Sequence, residues 1–114
     1  MLPSKHRLTR RTDFSTLMAK GKKSYSSGFG LRFITRHRPT LASRIGFVVG
    51  TKVSKDAVVR NLLKRRMRAV VHQKLAQLKG GFDIIIMAFP EAKGATYEKV
   101  EQQINAMLNK SGLV

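Results

Sequence analysis

Residues 56–78, DAVVRNLLKRRMRAVVHQKLAQL, decide how this chain is read. Stepped at about 100° per residue, the α-helical increment, the stretch divides into two faces. Val59, Leu63, Met67 and Val70 fall on one apolar stripe. Arg60, Lys64 and Arg68 stack beside it at i, i+4 and i+8, and Asn61 and Arg65 broaden them into a basic strip. Like charges at that spacing repel by about 0.2–0.5 kcal/mol per pair. Solvated helix faces normally interleave acids with bases, yet no Asp or Glu occurs between Ala57 and Leu78. The pattern predicts a helix that accepts this repulsion because a polyanion relieves it; a plainly solvated face is the alternative. Asp56 or Ser54 can cap its first free N–H groups, and Gly80-Gly81 is expected to end it.

Outward from this helix, Arg44–Gly50 reads as a strand that feeds it through Thr51–Lys55. Phe82–Phe89, FDIIIMAF, is almost wholly apolar, the mark of a central strand buried on both faces, and Pro90 ends it. Residues 29–38 alternate, with Phe29, Leu31, Phe33 and Thr35 on one side and Gly30, Arg32, Ile34 and Arg36 on the other. Arg38-Pro39-Thr40 breaks that strand. The two strands are expected to pair antiparallel across about five or six residues. Glycines 28, 30, 46 and 50 lower the bulk on one sheet face, which suits either close approach of a ligand or tight packing. Asp13–Lys20 predicts a short helix with Phe14, Leu17 and Met18 on one face, stopped by Gly21. A further short strand is conceivable over Lys22–Ser26. Thr96 caps a last helix whose stripe is Val100, Ile104, Met107 and Leu108, closed at Gly112. Helix, strand, strand, helix, strand, helix, with the optional extra strand, predicts a two-layer α/β (α+β) sandwich on a small mixed sheet. Residues 1–114 are expected to form one domain, with 1–11 either a basic arm on phosphates or a frayed terminus.

The composition narrows the partner. The chain carries 23 Lys and Arg against six Asp and Glu, a net charge of +17, with 42% hydrophobic residues. That balance points to nucleic acid or an anionic surface, on a chain apolar enough to fold. Residues 1–68 hold 18 Lys and Arg against two Asp, a balance of +16, whereas residues 69–114 come to only +1. The polyanion surface is therefore expected in the first three-fifths. No apolar run is long enough to span a bilayer, and no secretion signal is visible. The absence of cysteine fits a cytoplasmic protein.

Catalytic chemistry is hard to find. His6, His37 and His72 are scattered, and six acids leave few pairs for acid–base work or Mg²⁺ ligation. No P-loop or other phosphate-binding or nucleophile motif occurs. His72, on the basic strip, is expected to face RNA or solvent rather than act as a base.

These residues resemble the protein subunit of bacterial ribonuclease P. AVVRNLLKRRMR (57–68) is similar to the signature helix of that family, in which Arg-Asn-Arg precedes Ile/Leu-Lys-Arg and a further Arg. HRLTRRTDFSTLMAKGKK (6–23), RIGFVVGTK (44–52) and DIIIMAFP (83–90) resemble its opening segment, the strand before the helix and the last strand, in the same order. The resemblance implies a fold with an unusual left-handed βαβ crossover, against the general right-handed rule. It implies a non-catalytic protein component of an endoribonuclease, partnered with a catalytic RNA and precursor tRNA as a monomer in a 1:1 ribonucleoprotein. The RNA, with its Mg²⁺, would remove the 5′ leader, and the protein would hold no cofactor of its own. Carried over by position, Lys52, Arg60, Asn61, Lys64, Arg65 and Arg68 would bind the RNA subunit, and Phe14, Met18, Arg32 and Phe89 would line a leader cleft. Met18 and Arg32 stand where aromatics are common in the family, and Phe89 where Arg or Lys is. Leu62 replaces the usual third signature Arg; it is expected to be partly buried at the margin of the apolar stripe. Other binding roles compete: an rRNA-binding ribosomal protein, a DNA-compacting protein, or a nuclease with its own site, the last disfavoured by the shortage of acids.

Overall fold

The computed structural model describes residues 3–8, 11–36 and 42–114. After a single 3-10 turn at Ser4–His6 come α1 (Arg11–Lys20), β1 (Lys22–Ser26), β2 (Phe29–Thr35) and β3 (Arg44–Val49). Then follow α2 (Ala57–Lys74), β4 (Phe82–Ala88), a 3-10 turn at Pro90–Ala92, and α3 (Tyr97–Lys110). The expected mixed α+β architecture is present, including the short first strand. The predicted break at Arg38-Pro39-Thr40 lies outside the described residues.

The order of the strands departs from expectation. The sheet runs β1-β2-β4-β3, so β2 and β3 are not neighbours and form no antiparallel pair. β4 lies between them, antiparallel to β2 and parallel to β3. The reason is visible in β4 itself: Ile84, Ile85 and Ile86 are fully buried, pointing alternately to the two faces. Such a strand gains most where it has ladder partners on both edges and cover on both faces. β2 and β3 therefore lie on opposite edges of β4. Arg36 N–H donates to the Gly81 carbonyl, and the Ser43 hydroxyl donates to the Lys79 carbonyl and accepts from Phe82 N–H. Asp83 is clamped bidentately by Arg44 at 2.8 and 2.7 Å, with Arg36 3.7 Å away. β3, α2 and β4 thus form a βαβ unit joining adjacent parallel strands.

One sheet face packs on α2 and α3. Leu31, Ile45, Val49, Ile84 and Ile86 meet Leu63, Met67, Val70 and Val71 from α2 and Val100, Ile104, Met107 and Leu108 from α3. Val59, placed on the α2 stripe by periodicity, is only half-buried, and Val71 joins in its place. The other face, with Ile85 and Met87, is covered by Leu17 of α1 and by Leu8. β1 joins β2 through Ser27-Gly28, a two-residue hairpin turn with both φ angles positive (30° and 91°), the geometry that suits the strand twist. Asp56 caps α2 by accepting from Val58 N–H at 2.9 Å, and the Ser54 hydroxyl accepts from Asp56 N–H. α2 ends at Lys74, short of Gly80-Gly81; residues 75–78 continue as a turn in which Leu78 N–H still reaches the Lys74 carbonyl. Thr96 caps α3 as expected.

The strand order has a measurable consequence. Ile86→Ala, at the centre of β4, should cost about 2–5 kcal/mol in denaturant unfolding. Val48→Ala, on edge strand β3 at 39% exposure, should cost under about 1 kcal/mol. Equal costs would contradict the central placement of β4.

Candidate nucleic-acid interface

The ten residues singled out by sequence divide into two surfaces. The first is the outer side of α2. Asn61, Arg65 and Arg68 are exposed along it, Lys64 is half-exposed, and Lys52 is exposed in the turn that precedes it. No ion pair among the described residues reaches Lys64, Arg65 or Arg68; the carboxylate of Asp83 is engaged by Arg44 and Arg36 instead. Arg60 is different. Its guanidinium donates to the carbonyls of Ser54 and Lys55 at 3.0 and 2.9 Å, so it also holds the turn that launches the helix. Arg66, which interrupts the apolar side, donates to the Ala95 carbonyl at 2.6 Å and ties α2 to the turn before α3. His72 is exposed at the far end of the strip.

Leu62 corrects an expectation. It is 41% exposed, and Val58 one turn earlier is 75% exposed. Leu62 thus belongs to the outer face with the cations rather than to the buried margin, because the stripe that meets the sheet has rotated toward Val71.

The second surface is the sheet face that α1 covers only in part. Residues opposite one another across a ladder point to the same side. Tyr25, Gly30, Met87 and Val48 therefore form one row across all four strands, and Lys23, Arg32, Ile85 and Gly46 form the next. Phe14 and Met18 of α1 stand over this face, Phe14 half-buried and Met18 44% exposed. The Arg32 guanidinium donates to the Met18 carbonyl, placing a cation at the C-terminal end of α1, where its dipole is favourable. Gly30 and Gly46 are explained by packing: a Cβ at Gly46 would strike the Phe14 ring, and one at Gly30 would come within 2.8–2.9 Å of the Phe89 ring. Both glycines let an aromatic ring approach the sheet closely. A pocket of about 240 Å³ opens here, lined by Lys23, Tyr25, Gly30, Arg32, Met87 and Phe89 among others.

The structure thus brings Phe14, Met18, Arg32 and Phe89 to one sheet face and the α2 residues to the opposite layer. It adds Tyr25, which periodicity alone does not single out. The signal is present in the alternation of KKSYS, but the segment is short and polar and reads only as an optional strand. Among the described residues no group of three His, Cys, Asp or Glu side chains could hold a metal ion, and no helix is long and apolar enough to cross a membrane.

The sequence profile of a family described as Ribonuclease P matches residues 2–112. The chain is 38% identical over 111 residues to the "Ribonuclease P protein component" of a Pseudanabaena species, covering 97% of this chain and 95% of that one. It is 36% identical over 113 residues to the protein of the same description from a Synechocystis species, covering 99% and 90%. Among solved structures, the RNase P protein from Thermotoga maritima superposes with a TM-score of 0.80 at 26% identity, covering 91% of this chain and 96% of that one. The RNase P protein of Staphylococcus aureus gives 0.84 at 23% identity, covering 95% and 96%, a likeness of fold.

Exposure of Leu62 sets a test. Leu62→Arg should leave the unfolding free energy within about 1 kcal/mol of the parent, as for a surface substitution. A larger loss in denaturant titration would return Leu62 to the core.

Proposed function

The chain belongs to the ribonuclease P protein family, and from that premise we propose that its two surfaces grip two different stretches of RNA. It is the protein component of ribonuclease P, the enzyme of tRNA processing. In this reading α2, with Lys52, Asn61, Lys64, Arg65 and Arg68, holds the catalytic RNA subunit, while the α1–sheet cleft holds the single-stranded 5′ leader of precursor tRNA. Arg60 adds its guanidinium to the same strip and, through the Ser54 and Lys55 carbonyls, keeps the helix start in place.

The observation that carries the reading is the α2 strip: successive cations on one helix with no acid paired to them among the described residues. Phosphates brought beside these cations relieve their mutual repulsion and release counterions, which makes the binding strong and salt-dependent. The cleft differs in kind. It is shallow, partly apolar and flanked by aromatic rings and two cations, and so suits unpaired bases with a backbone alongside rather than a duplex. A packed sheet and helix hold both surfaces rigid, so that binding the RNA subunit through α2 presents the cleft at a fixed position relative to the scissile phosphodiester.

The chemistry belongs to the RNA. The carboxylates of this chain are few, and Asp83 is committed to an internal ion pair. Among the described residues no cluster of carboxylates could hold Mg²⁺; in this reading Mg²⁺ is held by the RNA subunit, and the chain contributes affinity and orientation. The complex is proposed to contain one copy of the chain per RNA and to work in the cytoplasm.

Rigorously RNA-free chain should show no cleavage of precursor tRNA. Added to a ribonuclease P RNA at low Mg²⁺, it should raise cleavage strongly; metal-dependent cleavage by the chain alone would sink the reading. Lys64→Ala, Arg65→Ala and Arg68→Ala should each weaken RNA-subunit binding, with circular dichroism unchanged. Each should also flatten the log–log salt slope by about 0.7–0.9 for every phosphate that the variant no longer neutralises. Arg60→Ala should in addition lower the melting temperature, because the Ser54 and Lys55 carbonyls lose their donor.

A further inference from the structure

We propose that Tyr25 and Phe89 form a stacking platform for one unpaired nucleobase of the leader, a subsite on the β1 side of the cleft; this rests on the leader-binding reading above. The two rings lie near-parallel, 29° between planes with centroids 5.8 Å apart. Each is held from below. Phe89 lies on Gly30, where any larger residue would push the ring away. The Tyr25 hydroxyl accepts from Gly28 N–H at 3.3 Å, which fixes the ring over the hairpin turn. Yet Tyr25 remains 54% exposed. An ordered aromatic with a free face, ringed by an otherwise polar edge strand, gains nothing from water and has ordering entropy already removed. Both rings open on the same pocket, whose remaining wall includes Lys23 and Arg32 and no acidic side chain.

The chemistry selects the occupant. An aromatic face with cations beside it accepts a flat base and its phosphate; a pocket of about 240 Å³ is too small to seat a hydrophobic helix, and it has no acid for a basic peptide. The subsite is separate from the ring of Phe14, because Arg32 reaches from β2 to the Met18 carbonyl of α1 and so stands between the helix side and the hairpin side of the face. The leader is therefore held at the hairpin edge by stacking, where the helix side presents Met18 instead of a second ring. Stacking tolerates any base, so this platform contributes affinity for a single strand more than a preference for its sequence.

The test uses the chain assembled with a ribonuclease P RNA. Binding of precursor tRNA and of mature tRNA without a leader is measured for the parent, Tyr25→Ala and Tyr25→Phe. A set of leaders, each carrying 2-aminopurine at one position, reports stacking by fluorescence quenching. Tyr25→Ala should weaken precursor binding roughly 5- to 100-fold, leave mature tRNA and the RNA subunit bound as before, and abolish quenching at one leader position. Tyr25→Phe, which keeps the ring and loses only the Gly28 N–H contact, should retain the quenching and bind precursor more tightly than Tyr25→Ala. Because Tyr25 is half-exposed at an edge, its truncation spares the core, and an unchanged melting curve checks this. Unchanged precursor affinity and quenching in Tyr25→Ala would overturn the platform, as would equal weakening of precursor and mature tRNA. If the parent complex itself fails to distinguish precursor from mature tRNA, the leader-binding function falls.

Discussion

The burial of β4 on both faces is the constraint on which the rest depends. Three consecutive isoleucines, each fully buried, send side chains into two separate apolar layers at once. Fully burying one such side chain is worth about 1.5–3 kcal/mol, so the chain gains most by giving β4 a ladder partner on each edge and helices on each side. The two-layer core against α2 and α3 and the smaller one against α1 follow from that. So does the sheet order: β2 and β3 flank β4 instead of each other. The end of β2 and the approach to β3 are secured at the start of β4, where Arg36, Ser43 and Arg44 satisfy Lys79, Gly81, Phe82 and Asp83.

The same constraint separates the two candidate RNA surfaces. α2 must turn its apolar stripe to one sheet face, so its cations point outward from that layer. α1 covers only part of the other face, which leaves the β1–β2 hairpin side open. Glycines then decide the texture of the open face. Gly30 and Gly46 are where rings of Phe89 and Phe14 lie against backbone, so the apparent emptiness of those positions in the sequence is filled from within the chain. The cleft is lined by aromatic rings because its floor has no side chains there.

Charges in this protein do more than one job, and the structure separates them. Arg44 and Arg36 neutralise Asp83. Arg66 fastens α2 to the turn ahead of α3, and Arg60 fastens the turn ahead of α2. Arg32 sits at the C-terminal end of α1. Lys64, Arg65 and Arg68 have no ion-pair partner among the described residues and are the ones available to an external polyanion. A count of cations treats all of these alike; hydrogen bonding to particular carbonyls distinguishes them.

By itself the sequence determined the type and place of nearly every element, because periodicity and caps are local. The α2 stripe and strip, the buried run of β4, the Asp56 and Thr96 caps and the apolar face of α3 were all legible, as was the family through its signature helix. Tertiary structure alone decided what depends on residues distant in the chain. Strand order is one case: β2 and β3 read as a hairpin pair because they are consecutive, and only the demand of β4, more than thirty residues on, pulls them apart. The rotation of the α2 stripe toward Val71, which leaves Leu62 outside, is another, since a helix meets the sheet at an angle that its own periodicity does not contain. The pairing of Tyr25 with Phe89 is the third. Those residues are 64 positions apart, and they meet only because two ladders set Tyr25 beside Gly30 and Gly30 beside the end of β4, where a missing side chain makes room for a ring.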